Sequence, residues 1–130
     1  AVDTIYTHFK DTGRDPNYYD CIATGDLGKF GRQITETMLK SLGCDISKIY
    51  VDCGESIYDN GRQDTFSGGS GCGCSASVFT GYFYKQLIEG KISKILIIST
   101  GALMSPTTTF QGESIPGIAH AVAIEFNTRR

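Results

Sequence analysis

KILIIST, residues Lys94–Thr100, has four consecutive aliphatic residues, Ile95–Ile98, three of them isoleucine. So short and uniformly apolar a run keeps no polar face for water, which is the pattern of a central strand covered on both sides. It is also far below the ~20 residues that cross a bilayer. Upstream, about Ser75–Glu89 reads as a helix carrying Val78, Phe79, Tyr82, Phe83 and Leu87, with Gly90 as its stop signal. Downstream, Gly101–Ser114 is a turn-rich excursion containing Pro106, and Ile118–Phe126, IAHAVAIEF, alternates as a strand does. With no helix between them, these last two strands should pair antiparallel.

Earlier in the chain the same alternation recurs. Val2–Thr12 reads as a helix with Ile5, Phe9 and Tyr6 on one face, closed by Gly13, and Asp15-Pro16-Asn17 is a turn. Tyr19–Thr24, YDCIAT, is a short strand. Asp26 suits the N-cap of a helix over Leu27–Leu42, whose Leu27, Phe30, Ile34, Met38 and Leu42 form an apolar stripe. Ile46–Val51 reads as a second short strand or extended connection, and Asp52–Thr65 as a polar surface excursion. Alternating helices and strands predict an α/β unit: a mixed, mostly parallel sheet flanked by helices, with one face left for another part of a longer chain to cover. AVDTIYTHF reads as a helix already under way, which suggests a piece of such a chain.

The 130 residues allow at most one domain, and a composition of 40% hydrophobic and 20% charged is that of an ordinary globular protein. Twelve basic residues against fourteen acidic give a net charge of −2, so no basic field invites nucleic acid. Cys21, Cys44, Cys53, Cys72 and Cys74 are odd in number and irregular in spacing, which argues against a disulfide framework and for a reducing compartment. No second ligand pair has zinc-like spacing beside Cys72-x-Cys74.

Phe66–Ser77, FSGGSGCGCSAS, is where chemistry could sit. Gly68, Gly69, Gly71 and Gly73 permit close backbone approach, and the loop feeds a helix start, whose unpaired N–H groups attract carboxylates and phosphates and lower the pKa of a nearby thiol. Cys72 and Cys74 are then walls of an anion pocket or polarised thiols. Equally, the glycines only let a helix pack on a sheet. It is not a P-loop, since no Gly-Lys-Ser/Thr follows. Ser99–Gly101 ends the central strand, the edge where open α/β sheets bind ligands. His120, between two alanines, is either an interface residue or a contact facing the same pocket, and Glu113 is either a solvated carboxylate or a pocket contact.

GGSGCGCSAS (Gly68–Ser77), KILIISTGALMSP (Lys94–Pro106) and GESIPGIAHAVAIE (Gly112–Glu125), with YDCIATGDLGKFG (Tyr19–Gly31) and DTIYTHFKDTG (Asp3–Gly13), resemble the stage V sporulation protein AD family of spore-forming bacteria. The resemblance spans nearly the whole chain. It implies a thiolase-like fold, in which residues 1–130 are the C-terminal half of a double αβα arrangement. Thiolases carry a His-Pro-x-Gly-x-Ser-Gly motif at a helix start. Its counterpart here is Ser70–Ala76, where Gly73 and Ser75 fit and Ser70 stands at the histidine position. Their second polar residue falls near Glu113. Serine without a partner does not replace an imidazole base, so the resemblance implies a non-catalytic protein that binds dipicolinic acid, with or without calcium, in the old thiolase pocket. The ligand-contacting set is then Ser70, Gly71, Cys72, Gly73, Cys74, Ser75, Gly101, Glu113 and His120. The expected partners are the N-terminal half and the membrane proteins of the same sporulation operon, at the spore inner membrane. A homodimer is left open, and no cofactor or resident metal is expected. An acyl-transferring enzyme with an altered catalytic set, built on Cys72 or Cys74 and His120, is the alternative.

Overall fold

The computed structural model describes residues 1–126. The sheet has four strands in the order β2-β1-β3-β4: β1 is Cys21–Thr24, β2 Tyr50–Asp52, β3 Lys94–Ala102 and β4 Gly117–Glu125. β1 runs parallel to β2 and β3, and β4 lies antiparallel to β3 with Ser99 opposite His120. The fold is therefore the expected α/β one, a mixed and mostly parallel sheet with helices on both sides.

Alternation along the strands separates two cores. Ile22, Leu96 and Ile98 point one way, where α1 (Val2–Thr12) supplies Ile5 and Phe9 and α2 (Gly28–Ser41) supplies Leu39. Cys21, Ala23, Ile95 and Ile97 point the other way, onto Phe83 and Leu87 of the helix that follows the glycine-cysteine loop. Residues i and i+2 of a strand share a face, so KILIIST feeds both cores from one run. β4 is an edge strand. Its Ile118 and Val122 stay 59% and 54% exposed, whereas both faces of β1 and β3 are covered, so the open face expected of the sheet is reduced to this strand.

Four expectations change in detail. The apolar stripe of α2 does not face the core: Phe30, Ile34, Met38 and Leu42 are 64%, 59%, 49% and 48% exposed, while Gly28, Thr35 and Leu39 are buried. Asp26 does not cap α2, because the first amides of that helix, Leu27 and Gly28, donate to Asp52 at 3.0 and 2.8 Å. Asp52–Thr65 is not surface throughout. Asp52, Cys53 and Gly54 are buried and open the short helix α3 (Cys53–Ser56). The helix expected over Ser75–Glu89 is interrupted: α4 (Cys74–Val78) passes through a π-helical turn, Phe79–Phe83, into α5 (Tyr84–Ile88). That turn brings Phe83 and Leu87 inward and leaves Tyr82 56% exposed. Gly90 stops the helix as expected, at φ 69°. All five cysteines are free.

Candidate functional site

The surroundings of the glycine-cysteine loop change at Ser70. Its first part is packing. Gly69 N–H donates to Gly54 O at 2.7 Å, and Lys29 N–H donates to Ser67 O at 2.7 Å. A Cβ on Gly68 would lie 2.5 Å from Gly54 O, and one on Gly54 would lie 2.2 Å from Gly69 O. Two backbone segments meet there at a distance only glycine allows. The second part faces open space: a Cβ on Gly71 or Gly73 would meet nothing within 4 Å. Packing thus accounts for Gly68 and Gly69 and not for Gly71 and Gly73.

That second part borders a cleft of about 870 Å³ at the C-terminal ends of β1 and β3, the edge where open α/β sheets carry ligands. Ser70, Gly71 and Cys72 line it from the loop, Thr100 and Gly101 from β3, Ile118 and Ala119 from β4, and Asp26 from the turn after β1. Of the expected residues, four therefore line the cleft: Ser70, Gly71, Cys72 and Gly101. Gly73 adjoins them as the residue before α4. Cys74 and Ser75 are buried behind this rim. The Ser75 and Ser99 hydroxyls lie 3.3 Å apart. His120 pairs with Ser99 across the ladder, and paired residues share a sheet face, so its side chain lies on the α4 side, near Ser75 and outside the lining of the cleft. Glu113 is apart from this group. It is exposed in the excursion after α6 (Pro106–Phe110), with its N–H donating to Thr108 O at 3.1 Å.

The thiols differ. Cys72 is exposed at the rim. Burial, then the nearby Asp26 and Asp52 carboxylates, pushes the Cys74 thiol up, opposite to the direction expected of a polarised nucleophile at a helix start. Burial also pushes Cys21 and Cys53 up to about 12. Neither histidine lines the cleft. His8 lies in α1, with Nε2 2.7 Å from the Tyr19 hydroxyl.

Thr100 lines the cleft within the Ser99–Gly101 strand end that the sequence marked, whereas Asp26 was read only as a helix cap. Asp26 Oδ2 accepts from Gly71 N–H at 2.9 Å, and Asp26 N–H donates to Thr100 Oγ1 at 3.0 Å. Among the described residues, the charged side chains lining the cleft are carboxylates, Asp3 and Asp26. The signal for Asp26 was its place just after a strand, at the end of the sheet where ligands collect.

The sequence model of the family described as Stage V sporulation protein AD matches residues 1–125. Stage V sporulation protein AD of Bacillus subtilis (strain 168) is 47% identical over 125 residues, which are 96% of this chain and 37% of that protein. The chain thus spans little more than a third of the length of this curated relative.

Proposed function

Because the chain belongs to the stage V sporulation protein AD family, we propose that it forms the C-terminal half of a non-catalytic protein that binds dipicolinic acid, as calcium dipicolinate in preference to the free dianion. The observation that carries this reading is the cleft itself. Ser70, Gly71 and Cys72 stand with Gly101 around a volume suited to a small planar ligand, and no imidazole is on its wall. Loop amides can meet a ligand carboxylate. The Asp26 and Asp3 carboxylates repel a free dianion and tolerate one whose charge calcium has neutralised. Calcium here belongs to the ligand, since the chain has no EF-hand-like cluster of oxygens.

Calorimetry of the full-length protein tests this directly. Dipicolinate with calcium should give saturable heat and bind more tightly than dipicolinate with a chelator. No heat and no competition at about 1 mM ligand sinks the reading. Exposed Cys72 at the rim is the observation that favours acyl transfer instead. Incubation with acyl-CoA donors followed by mass spectrometry separates the two, because binding alone leaves Cys72 unmodified. The family also suggests the N-terminal half, sporulation membrane proteins or a second copy as partners, and the spore inner membrane as location. Among the described residues no helix is long and apolar enough to cross a membrane, so attachment through such partners fits this reading.

A further inference from the structure

Asp26 stands where three segments meet at the cleft. One carboxylate oxygen accepts the Thr100 hydroxyl at the end of β3, and the other accepts Gly71 N–H from the loop at 2.9 Å. Its own N–H donates back to Thr100 Oγ1 at 3.0 Å. The approach is built into the backbone: a Cβ on Gly25 would lie 2.9 Å from Thr100 N, so the exit of β1 reaches β3 this closely only as glycine. Gly71 has φ 143°, a conformation that side chains rarely adopt. The carboxylate is free for this work because Asp52 takes the first amides of α2.

We propose that Asp26 is a positioning residue for the binding cleft, holding the Gly71–Cys72 rim against Thr100–Gly101. This rests on the cleft being the ligand site. The physical need is entropic. Gly69 is anchored to Gly54, and Cys74 N–H closes back on Gly71 O at 3.1 Å. Between those anchors Ser70–Gly73 is exposed and half glycine. Without the Asp26 bond these residues sample more conformers, and the ligand has to order them as it binds. Loss of the clamp is therefore expected to weaken dipicolinate binding about ten- to hundred-fold while the melting temperature changes little, because the bonded groups are at a rim and not in either core.

The test uses the intact protein, with hydrogen exchange at the Gly71 amide read beside dipicolinate affinity. Asp26→Ala removes both acceptors. Thr100→Val removes the hydroxyl and keeps the volume, and Thr100→Ser restores the hydroxyl. Gly71 should be protected in the wild type and in Thr100→Ser. In Asp26→Ala and Thr100→Val it should exchange faster, with affinity falling in step. Rescue by serine is what a role in mere packing would not give. If the wild-type Gly71 amide exchanges as fast as in Asp26→Ala, or if Thr100→Val keeps full affinity, the clamp is wrong even where dipicolinate binds. If Gly71 is protected and the wild type gives no heat with dipicolinate, the clamp stands and the ligand reading falls.

Discussion

Asp52 is 1% exposed, and its carboxylate accepts the Thr24 hydroxyl at 2.6 Å and the amides of Leu27, Gly28 and Glu55 at 3.0, 2.8 and 3.1 Å. One side chain thus caps two helix starts and closes the end of β1 onto β2. Truncation strands the buried Thr24 hydroxyl and Gly28 amide and uncaps the half-buried Leu27 and Glu55 amides, so Asp52→Ala should cost about 3 kcal/mol in urea unfolding. Asp52→Asn should cost less, because the amide oxygen still accepts. Sequence reading gave the cap to Asp26, the nearer acid. Local spacing sees neighbours only, and Asp52 lies 25 residues from Leu27. His8 makes a second residue-scale prediction. Burial, then Arg14, lowers its pKa below the usual 6.5. Its Nε2 meets a Tyr19 hydroxyl that already accepts from Arg14 at 2.8 Å, which fits a neutral ring accepting from Tyr19. The unfolded chain then binds the proton more readily than the folded one, so stability rises with pH between the lowered value and about 6.5. The contribution is complete above about 6.5 and is lost as pH falls through the window. His8→Gln should flatten that part of a stability–pH profile, and an NMR titration placing His8 at or above 6.5 would contradict it.

α2 shows what periodicity can and cannot say about an element. Its stripe at positions 30, 34 and 38 is a sound sign of an amphipathic helix, yet the side that packs on the sheet is Gly28, Thr35 and Leu39. An apolar face shows that something must cover it, and leaves open whether that is this sheet or another surface. The consequence is measurable. Leu39→Ala, at 0% exposure, should cost about 2–5 kcal/mol, while Ile34→Ala, at 59% exposure, should stay within about 0.5 kcal/mol. Equal costs would mean that α2 is turned about its axis relative to this packing. The strands were more legible, because Ile95–Ile98 leave no polar face and a strand covered on both sides is the economical solution. The π-helical turn at Phe79–Phe83 was not legible. It inserts a residue into a helix without any proline or cap to announce it.

At the scale of the molecule, the cleft has a floor and walls but no far side. Loop, β3 and β4 bound it, while Ala102, Met104 and Ile118 at its border remain exposed, with Met104 at 74%. A small-molecule site that binds well encloses about 70–90% of its ligand, and a surface open to this degree leaves much of a planar dicarboxylate in water. The same incompleteness was readable in part. Glycines and cysteines at a helix start marked Ser70–Cys72 and the strand end marked Ser99–Gly101, but Asp26 enters only through the way the sheet brings the ends of β1 and β3 together. Ligand affinity should therefore belong to the longer protein. On the proposed reading, this chain alone should bind dipicolinate at least tenfold more weakly than the full-length protein at matched calcium, because the uncovered ligand forfeits apolar burial and the exclusion of water that strengthens its contacts with the loop amides. Calorimetry on both, with circular dichroism to show that the short chain is folded, makes the comparison. Equal affinity from a folded short chain would mean that these residues enclose the whole site and that the open side of the cleft closes around its ligand unaided.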